Sequence, residues 1–314
     1  MHTRAELRVA ALARLEPLDA DVLLAHALGI TKEDLYAYPE ASVDAEREAT
    51  FRALIERRAV GEPVAYLRGW KEFYGLRFAV DPRVLIPRPE TEMLVDAVLA
   101  SGARLVADVG TGSGAIAVAV AAHRRALRVI ATDSSAGALG VARANAAAHG
   151  VADRIDFRQG DLLEPVRERV DAVAANLPYL SAATLAEALA VSGEGGLDPP
   201  EPQRLPRAGG AGAPVRRSRA AGGDRRRERM ERASLAFEPR AAVLAGTDGL
   251  ALIRRAIADL PRVLRTHGVA FFECDPPQAR KLAAEHAGEI LRDLAGAERV
   301  LVLRADPGGA MMAP

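Results

Sequence analysis

Between residues 104 and 175 strand-forming runs alternate with helical ones, and the position after each strand carries glycine or a polar side chain. The strands are read as Arg104–Val109, 127–132, 153–158 and 170–175. Helices are read over 90–100, 114–124 and 135–148. Such alternation means a parallel sheet covered by helices. Ligands of these sheets sit at the carboxyl ends of the strands. Gly110, Asp133, Asp161 and Asn176 all fall at such ends, and their coincidence constrains the chain more than any one of them does.

The flanks extend this α/β core. Residues 1–60 carry helical spacing: Leu7, Ala10, Ala11 and Leu15 share one face, as do Val22, Leu23, Ala27 and Leu28. A third amphipathic run, 44–60, turns Phe51, Leu54 and Ile55 inward. Residues 66–87 bring Trp70, Phe73, Tyr74, Phe78 and Val80 around Gly75, which predicts a β-hairpin. Beyond Phe237 a helix over 248–265, a strand Val269–Glu273, a helix near 277–287 and strands near 289–294 and 298–303 complete the sheet. The expected domains are therefore a helical 1–64, a hairpin linker 65–88 and an α/β domain 89–314. Within the last, 191–234 is an insert rich in Arg, Gly and Pro, with ten Arg against three acids from Arg204 to Arg232. With few large apolar residues it cannot offset its ordering entropy, so disorder is expected there, with helix only near 224–233. Its composition is also what a GC-rich reading frame yields when shifted, and an uninterrupted frame in the source DNA would rule that origin out.

Lys+Arg and Asp+Glu are both 42, and a zero net charge argues against a protein whose main work is gripping nucleic acid. The one cysteine, Cys274, forbids an internal disulfide and fits a reducing cytosol. The charged, helical N-terminus lacks the apolar stretch of a signal peptide, and no run is long enough for a membrane span. A cytoplasmic protein without membrane partners or a bound metal is expected.

Asp108-Val109-Gly110-Thr111-Gly112-Ser113-Gly114 lies between a strand and a helix. Glycines admit left-handed backbone and close ligand approach, and the free N–H groups at the helix start favour a polar or anionic group. The same turn reads as Gly-x-Gly-x-x-Ala through Ala115, so a dinucleotide remains open. Asp133, 19 residues after Gly114, suits the hydroxyls of a ribose; the alternative is that it caps helix 135–148. Asp161 and Leu162 suit the amine and the ring of an adenine, against a plain turn. Asn176-Leu177-Pro178-Tyr179 leaves the strand 170–175. An amide nitrogen is a poor nucleophile because its lone pair is delocalised. A site for one should accept its N–H groups, which the Asn176 side-chain oxygen and a loop carbonyl can do together. Tyr179 offers an aromatic face to a flat amide or base. The alternative is an ordinary Asn-Pro turn.

The Asn-Leu-Pro-Tyr loop is similar to the Asn-Pro-Pro-Tyr signature of amino-methyltransferases. Together with Leu85-Ile86-Pro87-Arg88-Pro89-Glu90-Thr91-Glu92, Phe237-Glu238-Pro239-Arg240 and Gly246-Thr247-Asp248-Gly249-Leu250, it resembles the PrmC/HemK family. That family methylates the glutamine of the Gly-Gly-Gln motif in class I peptide chain release factors. The resemblance covers about 1–190 and 235–305. It implies a seven-stranded Rossmann-like class I methyltransferase sheet and S-adenosyl-L-methionine held by Gly110, Thr111, Gly112, Ser113, Gly114, Asp133, Leu162 and Asn176, to which the strand-end reading adds Asp161. By the same resemblance Asn176 to Tyr179 would hold the substrate glutamine, with Arg88 and Glu92 structural or near the site. Leu177 stands where the family has its first proline; a backbone carbonyl survives the change, whereas proline's rigid φ does not. About 57 residues separate Tyr179 from Phe237, where the family has a short link.

Three other readings compete. An adenine-N6 nucleic-acid methyltransferase uses a similar loop on a flipped base and predicts a basic recognition domain. A methyltransferase-like binding protein without catalysis is suggested by Leu177 and the insert. A dinucleotide oxidoreductase lacks an acid or base for hydride transfer near the loop. No stable nucleic-acid partner is expected; weak RNA contact through the Arg-rich insert is set against a solvated segment, which is favoured.

Overall fold

In the computed structural model the described residues are 1–181, 183, 186, 233–246 and 248–305. Nearly all of the expected disordered insert 191–234, Thr247 and the C-terminal 306–314 lie outside them. Two compact units divide the chain, Met1–Arg68 with Ala186–Phe237 and Gly69–Leu185 with Glu238–Pro314.

The first unit carries α1 (Arg4–Leu12), α2 (Pro17–Leu28), α3 (Lys32–Ala37), α4 (Ala45–Ala59) and α5 (Val64–Arg68). Capping boxes start α1 and α3: the Thr3 and Thr31 hydroxyls accept from the backbone of Glu6 and Asp34, whose carboxylates accept back. Leu7, Leu15, Leu23, Leu24, Leu28, Phe51 and Leu54 close its core. Arg58 is buried and donates to Asp19 at 2.7 Å.

The second unit opens with a hairpin, β1 (Trp70–Phe73) and β2 (Leu76–Ala79), shorter than the expected 66–87. Val64–Arg68 is instead helical, and Pro82, Pro87 and Pro89 cannot donate to a ladder. Phe73 and Phe78 pack edge to face at 5.9 Å. Next come α6 (Glu92–Ala100), β3 (Leu105–Val109), α7 (Ala115–His123), β4 (Arg128–Asp133), α8 (Ala136–Ala148), β5 (Ile155–Gln159) and β6 (Val170–Ala175). Then follow α9 (Ala251–Val263), β7 (Leu264–Glu273), α10 (Pro276–His286), β8 (Glu289–Arg292) and β9 (Glu298–Arg304). The strand β7 starts five residues before the expected Val269, with a register irregularity opposite Val170 and Ala172.

The sheet runs β5-β4-β3-β6-β7-β9-β8, with β3 to β7 parallel and β9 antiparallel to both neighbours. This is the seven-stranded class I methyltransferase sheet. Its central strands are buried on both sides, so side chains alternate between two cores: Val106, Ala172 and Ala174 join one, Ala107, Val173 and Ala175 the other. Asn145 on α8 accepts from Ala79 N at 2.8 Å and donates to Ala79 O and Ser113 O, tying the hairpin to the turn after β3. Among the described residues no helix is long and apolar enough to cross a membrane.

Candidate active site

The strand order puts the ends of β3, β4 and β6 side by side. Gly110 N and Thr111 N both donate to Thr132 O at 2.9 Å, which closes the turn over β4. Inside the turn, Asp108 is fully buried; its Oδ2 accepts from the Thr111 hydroxyl at 2.6 Å and from Ala117 N at 3.1 Å. Burial pushes the Asp108 carboxyl up to about 6, against the pull of those two bonds. At the end of β4, Asp133 accepts from Gly112 N at 2.9 Å and from Ser135 N at 2.8 Å. The cap of α8 is Ser135, not Asp133.

A cavity of about 230 Å³ opens on these strand ends. Gly110, Gly112 and Asp133 line one side, Asp161 and Leu162 another, and Asn176, Leu177 and Pro178 a third. A Cβ on Gly112 would meet only Gly110 O, at 3.9 Å, so the turn presents bare backbone there. Thr111, Ser113 and Gly114 are not among the lining residues. Their side chains or backbone build the turn: Thr111 points at Asp108, and the Ser113 carbonyl at Asn145. Leu162 holds a left-handed backbone, φ 46°, and its carbonyl accepts from the Thr132 hydroxyl at 2.8 Å. Asp161 reaches the lining while paired with Arg255 at 2.5 Å; both are about half exposed, so water replaces that pair at little cost. Sequence reasoning missed the remaining walls, Arg83–Leu85, Ser134–Ser135 with Ala138, and Pro239 with Ala241, Ala242 and Leu252. Part of this was foreshadowed, because Leu85 and Pro239 begin or belong to the two runs that carried the resemblance.

The loop after β6 is held from several sides. Asn176 Nδ2 donates to the Thr91 hydroxyl at 2.8 Å, so the carbonyl edge of the amide lies opposite that bond. Leu177 turns its side chain into the core, and its Cδ2 lies 3.1 Å from where a Cβ on Gly110 would stand. The left-handed φ of Gly110, 72°, favours glycine there, and an added Cβ would press the Leu177 Cδ2 back by a few tenths of an ångström. Gln278 Nε2 on α10 donates to Tyr179 O at 2.9 Å. Leu180 exchanges backbone bonds with Val243 and Ala245.

Tyr179 faces a different space from Asn176. It lines a second, polar cavity of about 200 Å³ with Arg88, Glu90, Glu273, Cys274, Asp275 and Arg299. Burial, then the nearby Glu273 and Asp275 charges, raise its phenol above the usual tyrosine range. Burial likewise lifts the Glu273 carboxyl to about 7 and the Cys274 thiol to about 12. Arg88 donates to buried Glu238 at 2.5 Å, and Glu238 also accepts from Ile86 N at 3.3 Å. The two sequence runs 87–92 and 237–240 therefore meet in an ion pair that is only partly exposed. Glu92 accepts from Tyr74 N at 2.7 Å and fastens the hairpin turn.

The donor set fits S-adenosyl-L-methionine. A carboxylate ends β4 for vicinal hydroxyls, Leu162 and Asp161 suit an amino-substituted heterocycle, and bare backbone at Gly112 admits close approach.

Two family profiles match: the PrmC N-terminal domain over residues 2–69 and the methyltransferase small domain over 89–192. Among curated relatives, the release factor glutamine methyltransferase of Nitratidesulfovibrio vulgaris is 35% identical, over 91% of this chain and 88% of its own length. Those of Xylella fastidiosa strain 9a5c (35%, 96% of this chain and 98% of the relative) and Cereibacter sphaeroides (37%, 91% and 90%) are similar across the same span.

Proposed function

Because the chain belongs to the release factor glutamine methyltransferase family, we propose that it methylates the side-chain amide nitrogen of the glutamine in the Gly-Gly-Gln motif of class I peptide chain release factors. S-adenosyl-L-methionine, when bound, supplies a methyl group activated by its sulfonium. The candidate holders are Asp133 for the ribose, Asp161 and Leu162 for the adenine, and the backbone of Gly110 and Gly112 with Asn176 for the rest. Thr111, Ser113 and Gly114 act on the cofactor only by shaping that backbone.

Asn176 is the group we assign to the acceptor. Its Nδ2 is spent on Thr91, which leaves the carbonyl edge to accept an N–H from the substrate amide. A loop carbonyl between Leu177 and Pro178 takes the second N–H, and together they orient the nitrogen lone pair towards the methyl carbon. As the N–C bond forms the nitrogen gains positive charge, which both acceptors favour; one of the two N–H protons then leaves to water. Tyr179, expected to wall the flat amide, lines the adjoining polar cavity instead, and its assigned part is to anchor the end of the loop through the bond its carbonyl accepts from Gln278. The helical 1–64 is assigned to docking the release factor, the hairpin 65–88 to linking, and the rest to methyl transfer. A release-factor substrate makes the proposed compartment the cytoplasm, with no membrane partner.

The single observation that carries this reading is the Asn176 amide, oriented by Thr91 at the end of β6 and lining the cavity that Asp133 and Gly112 share. The test is incubation with labelled S-adenosyl-L-methionine and either a release factor or DNA. Label on the release factor that vanishes on Gln→Ala in its Gly-Gly-Gln motif is expected. Label on DNA instead, or cofactor binding with no transfer at all, overturns the reading.

A further inference from the structure

Two walls of the cofactor cavity come from short turns far apart in the chain. Arg83, Val84 and Leu85 form one, and Pro239, Ala241 and Ala242 the other. Each turn closes on a bond of its own, Val84 N to Asp81 O at 3.1 Å and Ala242 N to Pro239 O at 2.8 Å. Glu238 joins them. It stands immediately before Pro239, and it accepts from Ile86 N, immediately after Leu85, at 3.3 Å and from Arg88 at 2.5 Å. Its side chain is 1% exposed. An apolar contact of the same size often stabilises a fold as well as a buried ion pair does. The carboxylate differs in direction: its two oxygens hold a backbone N–H and a guanidinium at set angles, which fixes the spacing of the two turns. The far end of the second turn is anchored separately, because Leu180 N donates to Val243 O at 3.1 Å and Ala245 N to Leu180 O at 3.0 Å. Loss of Glu238 therefore frees the near end, Pro239 to Ala242, which is the part that lines the cavity.

We propose that Glu238 is a positioning residue for the cofactor: by tying Ile86 and Arg88 to the turn 239–242, it sets the width of the cavity that S-adenosyl-L-methionine enters. The inference rests on the assignment of that cavity to the cofactor, and not on the identity of the methyl acceptor. Neither Glu238 nor Arg88 is among the described residues that line the cavity, so both act through its walls. The strand ends do not depend on them. Asp133 is held by Gly112 N and Ser135 N, and Asn176 by Thr91. The signature of the clamp is accordingly a weakened hold on the cofactor, with near-normal chemistry once it is bound.

Two measurements test this on the full chain. The first needs no variant: amide hydrogen exchange of the wild type is followed with and without S-adenosylhomocysteine. With ligand at about ten times its Kd, a parting of the walls that must first release it becomes about tenfold rarer. Slowing of that size is expected in segments 84–86 and 239–243, and unchanged exchange there overturns the proposal. The second is the Kd for S-adenosylhomocysteine by calorimetry. Glu238→Ala should raise it about tenfold, the scale of one hydrogen bond lost to the ligand. Glu238→Gln keeps an oxygen for Ile86 N and should stay within about threefold of wild type. With a release factor as substrate, KM for the cofactor should rise in step with Kd, while kcat at saturating cofactor falls by less than about threefold. A folded Glu238→Ala that binds within about twofold of wild type, no recovery in Glu238→Gln, or a fall in kcat with KM unchanged overturns the clamp. A wild type that binds no S-adenosylhomocysteine overturns the cofactor assignment and the clamp with it. Binding without transfer to a release factor overturns the proposed function alone, and the Kd and exchange results still judge the clamp.

Discussion

Gly249 bears on the catalytic loop from below, and Gly249→Ala puts the loop's position to the test. Its φ is +71°, and a Cβ there would stand 2.1 Å from Tyr179 O and 2.5 Å from Gln278 Nε2. The left-handed conformation costs alanine about 1 kcal/mol. Relieving the clash costs ~1–3 kcal/mol more, since ordinary contact needs Tyr179 O to retreat by more than ~1 Å. That retreat also breaks the bond from Gln278, worth ~1 kcal/mol net. A loss of ~3–5 kcal/mol in denaturant unfolding is therefore expected. Because Tyr179 is three residues from Asn176, a shift of this size should also lower kcat about 10²-fold. Affinity for S-adenosylhomocysteine should change far less, since the Asp133 side of the cavity is untouched. Stability within ~0.5 kcal/mol of wild type together with full turnover would show that Gly249 does not hold the loop.

Asn176→Ala should reduce turnover by far more than cofactor affinity; equal losses would assign the residue to the cofactor alone. Leu177→Ala should cost ~2–4 kcal/mol by opening a cavity in the core beneath Gly110, measurable by thermal or urea unfolding. An unchanged midpoint would mean the site collapses without penalty. Arg88→Ala strands Glu238, whose carboxyl is already raised by burial while Arg88 pulls it down. Removing Arg88 raises it further. A raised folded-state value means stability is present at acid pH and is lost as pH climbs through it, so the variant's deficit should grow as pH rises above the ordinary carboxylate range. About 2–4 kcal/mol is expected at the upper end, discounted because Arg88 is one-third exposed, and Glu238→Gln should recover part of it. A pH-independent deficit would refute the buried-charge explanation.

Local pattern made much of this protein legible. Period-2 and period-3.6 spacing, broken by glycine and acids, located β3 to β6 and α6 to α8 and put Gly110, Asp133, Asp161 and Asn176 at strand ends. Those signals are local: a strand's identity and its terminus lie within a few residues of each other. The short helices α3 and α5 were not separated out, because six and five residues hold less than two turns of a helix, too few for a periodic pattern to show. Pairing across long stretches of chain was decided only by the tertiary structure. Nothing in the sequence said that Thr91 meets Asn176, that Arg88 meets Glu238 150 residues on, or that Gln278 holds the Tyr179 carbonyl. The glycine turn divides in the same way. Its composition announced a ligand turn, but only the burial of Asp108 draws Thr111 inward, away from the cavity, because a buried carboxylate takes the nearest hydroxyl as its donor. The strand ends were written in the chain's periodicity; the orientation of the Asn176 amide came from side chains that only folding brings within hydrogen-bond reach.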